Sequence, residues 1–168
     1  MNHTPCPRCG GCHTIPLSGY AHHCSSCMSN FGFSDAKKAN AAADAVEQLH
    51  FFIGGHCGAS FRLLLTAAGQ HEAESWNAPS CTPMPDYTYS PTRFRRLVRR
   101  LIRHYFVLDW NPDYTHTDIL DGTQWELVFI LHNRQELRYS GSNAYPPRFR
   151  QLLRLLAPYF QAQGIRFP

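Results

Sequence analysis

The clearest pattern of hydrophobic and polar positions lies between residues 90 and 105. Apolar side chains recur there at spacings of three and four residues, which places them on one face of a helix. Ser90 is a favourable N-cap and Pro91 a favourable first helical residue. The pattern predicts an amphipathic helix whose apolar side faces a core. The apolar positions are Phe94, Leu97, Val98, Leu101, Ile102 and Tyr105.

Two groups of short apolar runs predict antiparallel strands. In the first group, residues 49–53 and 61–66 flank a glycine-rich turn, and a short third strand is expected over residues 72–76. In the second group, residues 124–131 are followed by a turn and a returning strand over residues 136–140. Four prolines between residues 77 and 91 exclude regular structure from most of the intervening loop.

Two further helices are predicted. An alanine-rich stretch before residue 44, with Ser34 as candidate N-cap, predicts a helical linker over residues 34–48. A final helix is expected over residues 147–157, with Pro158 ending or kinking it.

The second and third predicted helices have related sequences. Residues 91–101 align without a gap with residues 146–156, and the two segments share a proline, three arginines, a phenylalanine and two leucines. The preceding strands match more weakly. We interpret this as a duplicated ββα unit, with repeats over about residues 49–106 and 119–160, neither of which could bury its apolar face alone. The alternative is convergence on a common way of starting a helix.

The N-terminal cysteines form two pairs with the spacing of a zinc site. Cys6 and Cys9 make one C-x2-C turn, Cys24 and Cys27 make another, and 14 residues separate the pairs. Glycine at position 10 suits the tight turn after the first pair. Four protein ligands leave no open coordination position, so the site is expected to hold one structural Zn²⁺.

Residues 4–33 resemble the zinc-ribbon modules of many bacterial and archaeal proteins. The resemblance rests on Cys6-Pro7-Arg8-Cys9-Gly10-Gly11, then Cys24-Ser25-Ser26-Cys27, and then Phe31 and Phe33. The resemblance implies a short β-hairpin between two tight cysteine turns. It indicates a fold and a metal but no function. Other ligand sets stay open, because the sequence also places Cys12, His22 and His23 near the two pairs. The segment from residue 118 to residue 146 resembles uncharacterised bacterial proteins, from which no activity follows.

Length and composition fit one ordinary domain with a metal-stapled appendage. The chain has 168 residues, of which 43% are hydrophobic and 13% aromatic, so it should bury a substantial core. It shows no signal sequence and no apolar run approaching the roughly 18 residues needed to span a bilayer. An odd count of seven cysteines, clustered for metal binding, favours a reducing compartment. We therefore expect a cytoplasmic protein without a membrane partner, in which Cys57 and Cys81 are free thiols.

Charge is distributed unevenly along the chain. The formal net charge of +4 falls by about 2 when four thiolates hold Zn²⁺. Residues 93–103 carry six arginines and no acid, whereas residues 109–126 carry five acids and no lysine or arginine. The arginines cover the polar side of the predicted helix, opposite its apolar stripe. They are Arg93, Arg95, Arg96, Arg99, Arg100 and Arg103.

Three roles fit this arginine face. Guanidinium groups suit the phosphates of DNA or RNA, and an acidic protein surface is the second kind of partner. The third reading is a solvated helix face whose arginines pair with Asp109, Asp113 or Asp118.

No catalytic motif accompanies these features, so we expect no enzyme. The short combinations His56-Cys57, His71-Glu72 and His116 with Asp118 stand in no recognised catalytic frame.

Together these patterns predict an α+β protein with a zinc ribbon over residues 1–33, a helical linker over 34–48 and a duplicated ββα binding domain over 49–168. The favoured function is non-catalytic contact with nucleic acid through the arginine helix, with the ribbon as a second contact. The alternative is a protein-binding adaptor or inhibitor, of the kind encoded by phages and mobile elements, that docks on an acidic or nucleic-acid-mimicking surface. The sequence leaves the oligomeric state open.

Overall fold

The structure, a computed structural model, describes residues 4–17, 20–55, 58–115 and 122–168. It is an α+β fold with two sheets and three helices among these residues. The predicted fold class is therefore confirmed at this level. Among the described residues, no helix combines the length and apolarity needed to cross a bilayer.

The N-terminal sheet has three antiparallel strands. They are β1 (Thr14–Pro16), β2 (Tyr20–Cys24) and β3 (Ser29–Phe33), in the order β1-β2-β3. Cys24 lies opposite Thr14 on one side and Ser29 on the other, so the second cysteine pair spans the β2–β3 turn. We refer to residues 4–17 and 20–33 as the N-terminal unit.

The main sheet has six strands and centres on the longest of them. The strands are β4 (Val46–Gly54), β5 (Ser60–Thr66), β6 (His71–Trp76), β7 (Asp113–Thr115), β8 (Gln124–Leu131) and β9 (Glu136–Ser142). Their order is β6-β5-β4-β8-β9-β7, and all neighbours are antiparallel except β7 and β9. All five strands predicted from the sequence lie within observed strands. β4 begins inside the segment predicted to be a helical linker. The predicted domain boundaries themselves stay a prediction.

The three helices are α1 (Ala36–Asp44), α2 (Pro91–His104) and α3 (Phe149–Gln161). The predicted start of α2 is confirmed, because the Ser90 hydroxyl accepts a hydrogen bond from the Arg93 N–H at 3.3 Å. The predicted cap of α1 is wrong by one residue. Asp35, not Ser34, caps this helix by accepting from the Lys38 N–H at 2.8 Å, since its carboxylate reaches the third helical amide.

The predicted bounds of the last helix are also corrected. α3 begins at Phe149, after Arg148 in a left-handed conformation with φ 65°, and it continues past Pro158. Proline removes one helical hydrogen bond, but Tyr159 and Phe160 beyond it are buried in the core. Their burial holds the last turn in place despite the lost bond.

One large hydrophobic core joins the main sheet to its helices. Alternate residues of β4, namely Leu49, Phe51 and Ile53, belong to the same buried cluster as the apolar stripes of α2 and α3. All five apolar residues predicted within α2 are buried. Burying each such side chain contributes about 1.5–3 kcal/mol. The arginine side of α2 is therefore fixed outward by the packing of its apolar side.

The predicted duplication has both supporting and opposing features. The β5–β6 hairpin precedes α2 and the β8–β9 hairpin precedes α3. However, β4 separates the hairpins, and the two helices begin differently, one after a serine cap and the other after a left-handed arginine. The duplication stays a prediction.

Candidate functional site

Four cysteine sulfurs of the N-terminal unit converge on one point. The Sγ atoms of Cys6, Cys9, Cys24 and Cys27 all lie within 4.8 Å of one another. The Cys6–Cys27 and Cys9–Cys24 sulfurs are 3.7 and 3.6 Å apart. A tetrahedral Zn²⁺ with Zn–S bonds of about 2.3 Å would place its sulfurs about 3.8 Å apart. The arrangement therefore fits a metal ion, and the four predicted ligands are brought together without a disulfide.

The backbone around the first pair folds into a tight turn. The Gly10 N–H donates to the Cys6 carbonyl, the Cys6 N–H donates to the Gly11 carbonyl, both at 2.9 Å, and Gly10 has φ 72°. This left-handed conformation favours glycine. The Gly11 N–H points at the Cys9 sulfur at 3.4 Å, which stabilises a thiolate.

The four thiols lie in unlike environments. Cys6 and Cys24 are buried, whereas Cys9 is exposed. Burial raises the pKa of the Cys6 thiol to about 12, while a hydrogen bond from Ser29 lowers the pKa of the Cys27 thiol to about 6. A bound metal favours the thiolate at every position, so metal binding releases protons.

The alternative ligands lie outside the cluster. Cys12 is exposed and not among the converging sulfurs. The His23 ring bonds the Asn30 side chain at 2.8 Å, and His22 stacks on Phe31 with ring centroids 5.2 Å apart. Of the two predicted free thiols, Cys81 is free and half-buried. Cys57 lies outside the described residues.

The N-terminal unit is packed against the main domain through an aromatic cluster. Phe106, which lies just beyond the end of α2, contacts Phe31 edge-on at 5.0 Å and His22 at 5.4 Å between ring centroids. Phe106 and Phe31 form a buried cluster with Cys6 and Cys24. The metal ligands and the end of α2 therefore share one small hydrophobic core.

Polar contacts reinforce this packing. The Gly32 N–H donates to the Asp109 carboxylate at 2.9 Å, the Tyr114 hydroxyl donates to the Pro7 carbonyl at 3.0 Å, and the Asn111 amide donates to the Arg8 carbonyl at 3.2 Å. Burial raises the pKa of Asp109. Three residues that follow α2 thus hold strand β3 and the first cysteine turn of the N-terminal unit.

The arginine face of α2 lines a cleft of about 1020 Å³. Five of the six predicted arginines border it, while Arg93 lies over the Tyr87 ring, 4.9 Å from its centroid. No aspartate or glutamate is among the described residues that line this α2 cleft. The arginines that border it from α2 are Arg95, Arg96, Arg99, Arg100 and Arg103.

Sequence reasoning missed a sixth arginine of the α2 cleft. Arg148, at the start of α3, lines the cleft and donates to the His104 carbonyl at 2.8 Å. Burial and the nearby Arg103, Arg100 and Arg148 lower the pKa of His104. In the sequence, Arg148 stood out only through its alignment with Arg93. That alignment does not indicate that Arg148 lies near α2.

An intramolecular ion pair involves one arginine of this face. Arg99 bonds the Asp44 carboxylate at 2.9 Å at the rim of the cleft. The expected pairing partners serve elsewhere: Asp109 accepts from Gly32, and Asp113 accepts from the Thr115 hydroxyl. Asp118 lies outside the described residues.

Of the short acid, base and nucleophile combinations, only His71-Glu72 lies among the described residues. The His71 ring donates to the Tyr159 carbonyl at 2.8 Å and packs among tyrosines, so it serves the core. His56, His116 and Cys57 lie outside the described residues.

Comparison with known proteins gives no relative. A scan against protein-family models found no match, and searches of curated proteins and of solved structures also found none.

Proposed function

We propose that this protein binds nucleic acid through the α2 cleft and holds one structural Zn²⁺ at its four clustered cysteines. The partner is the phosphate backbone of DNA or RNA, and the role is non-catalytic. The N-terminal unit adds a second contact.

The observation that carries the proposal is the charge of the α2 cleft, whose described lining holds six arginines and no aspartate or glutamate. Arg95, Arg96 and Arg100 have no ion pair among the described residues. Like charges four residues apart on a helix, such as Arg96 and Arg100, repel by a few tenths of a kcal/mol per pair. Phosphates placed between the guanidinium groups would remove that cost and accept bidentate hydrogen bonds.

The donor chemistry supports zinc as the metal. An all-thiolate set suits Zn²⁺ or an iron–sulfur cluster, and the close sulfur spacing suits a single ion. With four protein ligands, the ion has no position for water or substrate, which supports a structural role. Because Phe106 packs beside Cys6 and Cys24, the ion also stabilises the end of α2.

A charge-reversal experiment tests the nucleic-acid proposal. Random-sequence DNA and RNA are titrated at low salt with the wild type and with the Arg96→Glu, Arg100→Glu double variant. The matched control is Lys37→Glu, Lys38→Glu, which makes the same charge change at exposed positions of α1, outside the cleft. We expect the α2 variant to lose binding and the control to retain most of it. Absence of wild-type binding, or equal losses in both variants, would refute the proposal.

One contact favours a second candidate, docking on an acidic protein surface as an adaptor or inhibitor. Arg99 already holds the Asp44 carboxylate with two hydrogen bonds, at 2.9 and 3.3 Å, so this face accepts carboxylates. Capture of partners from nuclease-treated lysate, analysed by mass spectrometry, tests it. This candidate predicts a stoichiometric acidic protein that the Arg96→Glu, Arg100→Glu variant does not capture.

The internal duplication belongs to the proposal as an account of how two basic helices arose. It is supported by the aligned arginines of α2 and α3 and by the hairpin that precedes each helix.

A further inference from the structure

A second cleft adjoins the α2 cleft at the start of α3. Its volume is about 1160 Å³, and it runs between α3 and the ends of β4 and β5. Arg148 lines both clefts. Its hydrogen bond to the His104 carbonyl fixes the side chain at the junction, where the end of α2 meets the start of α3. We refer to this second space as the α3 cleft.

The lining of the α3 cleft is more apolar than that of the α2 cleft. Ile53, Phe61 and Phe149 contribute side chains to its wall. Its described lining contains three further arginines and, like the α2 cleft, no aspartate or glutamate. The arginines are Arg150, Arg154 and Arg166, all exposed. This lining suits an occupant that offers both negative charge and apolar surface.

Tyr145 supplies an exposed aromatic ring at this cleft. The residue is 44% exposed, and its ring lies 4.8 Å from the Phe149 ring at an angle of 32°. Phe149 is buried and thus holds one side of the tyrosine ring. Aromatic side chains beside arginines form the usual platform for unpaired nucleobases.

We propose that the ligand is single-stranded nucleic acid that crosses Arg148 from one cleft to the other. Its phosphates lie along the arginines of the α2 cleft, and its bases enter the α3 cleft and stack on Tyr145. This inference rests on the proposed function and narrows its substrate class. A duplex keeps its bases stacked inside, so it can offer phosphates to the arginines but no base to Tyr145.

Fluorescence anisotropy tests the inference with a labelled, mixed-sequence oligonucleotide of about 15 nucleotides, within the range of known single-strand site sizes. The same strand is also presented as a duplex at equal salt. The variants are Tyr145→Ala and Tyr145→Phe, and the matched control is Trp76→Ala. Trp76 is 45% exposed, stacks with Arg62 and lines neither cleft.

We expect the single strand to bind more tightly than the duplex. Tyr145→Ala should weaken single-strand binding about tenfold and leave both duplex binding and the salt slope unchanged, since it removes a stacking platform and no charge. Tyr145→Phe and Trp76→Ala should bind as the wild type does.

Two results overturn the inference in distinguishable ways. If the duplex binds as tightly as the single strand, the single-strand inference fails and the proposed function stands. The same conclusion follows if Tyr145→Ala binds the single strand as the wild type does, while the Arg96→Glu, Arg100→Glu variant loses that binding. If neither nucleic acid binds at low salt, both fail.

Discussion

Replacing Phe106 tests whether the N-terminal unit and the main domain fold as one structure. The Phe106 ring is 6% exposed and meets both rings of the stacked Phe31–His22 pair edge-on. Phe106→Ala removes this ring from the shared core. Phe106→Gly removes the same ring and, in addition, the Cβ atom.

Packing and backbone conformation set the expected magnitudes. Removal of a buried phenylalanine ring costs about 3–5 kcal/mol. Phe106 also has φ 52° and ψ 41°, a left-handed conformation that costs an L-residue about 1–2 kcal/mol and glycine almost nothing. We therefore expect Phe106→Gly to be about 1 kcal/mol more stable than Phe106→Ala, although it deletes more atoms.

Urea unfolding in excess zinc, combined with amide hydrogen exchange, measures these effects. The Gly32 N–H, which bonds Asp109, should exchange faster in both variants, while amides in the middle of β4 stay protected. One metal ion per chain should remain bound, because no sulfur ligand changes. Phe52→Ala is the control, since Phe52 lies half-buried on the face of β4 opposite the core.

The claim that the N-terminal unit and the main domain fold as one structure fails if Phe106→Ala lowers the free energy of unfolding by less than about 1 kcal/mol, well below the usual range for a buried ring. It also fails if the Gly32 amide keeps its protection in both variants. A glycine variant less stable than the alanine variant would contradict the argument from backbone conformation.

Three further predictions concern the metal, pH and packing. Cys24→Ser should abolish stoichiometric zinc binding, measured by elemental analysis, whereas Cys12→Ser should retain one ion per chain. Burial lowers the pKa of His71 below its ordinary 6.5, so the folded state favours the neutral ring, and the stability this provides is lost as the pH falls below 6.5. Urea unfolding at about pH 7.5 and about pH 5.5 should therefore show a larger loss for the wild type than for His71→Gln. Gly141→Ala should lower the free energy of unfolding by about 1–3 kcal/mol, because the new Cβ would lie 2.5 Å from Trp125 Nε1. A wild-type unfolding curve for this variant would contradict the close packing at β9.

Local sequence signals predicted the elements that depend on local rules. The start of α2 follows from Ser90 and Pro91, and its buried face follows from the apolar spacing. The spacing of the cysteine pairs was enough to predict the metal ligands, since each C-x2-C turn directs two sulfurs to one side. These parts of the fold and the site needed no knowledge of distant residues.

Distant contacts were out of reach of the sequence. Gly32 and Asp109 are 77 residues apart, and Pro7 and Tyr114 are 107 apart, so no periodicity reports that they meet. The same holds for Arg148 beside the end of α2. The error at Ser34 has a local cause, because serine and aspartate are both good caps and only the structure shows which of them reaches Lys38.

The predicted end of the last helix was wrong, because α3 continues beyond Pro158, and the cause is competition between local and tertiary terms. A proline in a helix costs about 3 kcal/mol locally, but the burial of Phe160 beyond it contributes a similar amount. Whether a helix ends at such a proline depends on what its last turn packs against.

The salt dependence of single-strand binding tests the central claim most directly. If all six arginines that line the α2 cleft contact phosphate, the slope of log Kobs against log salt should be about −4, since each contact to a single strand contributes about 0.7. The Arg96→Glu, Arg100→Glu variant should bind more weakly, with a slope shallower by about 1.4. A wild-type slope near zero, or a slope that the double variant leaves unchanged, would contradict the claim that this cleft binds a phosphate backbone.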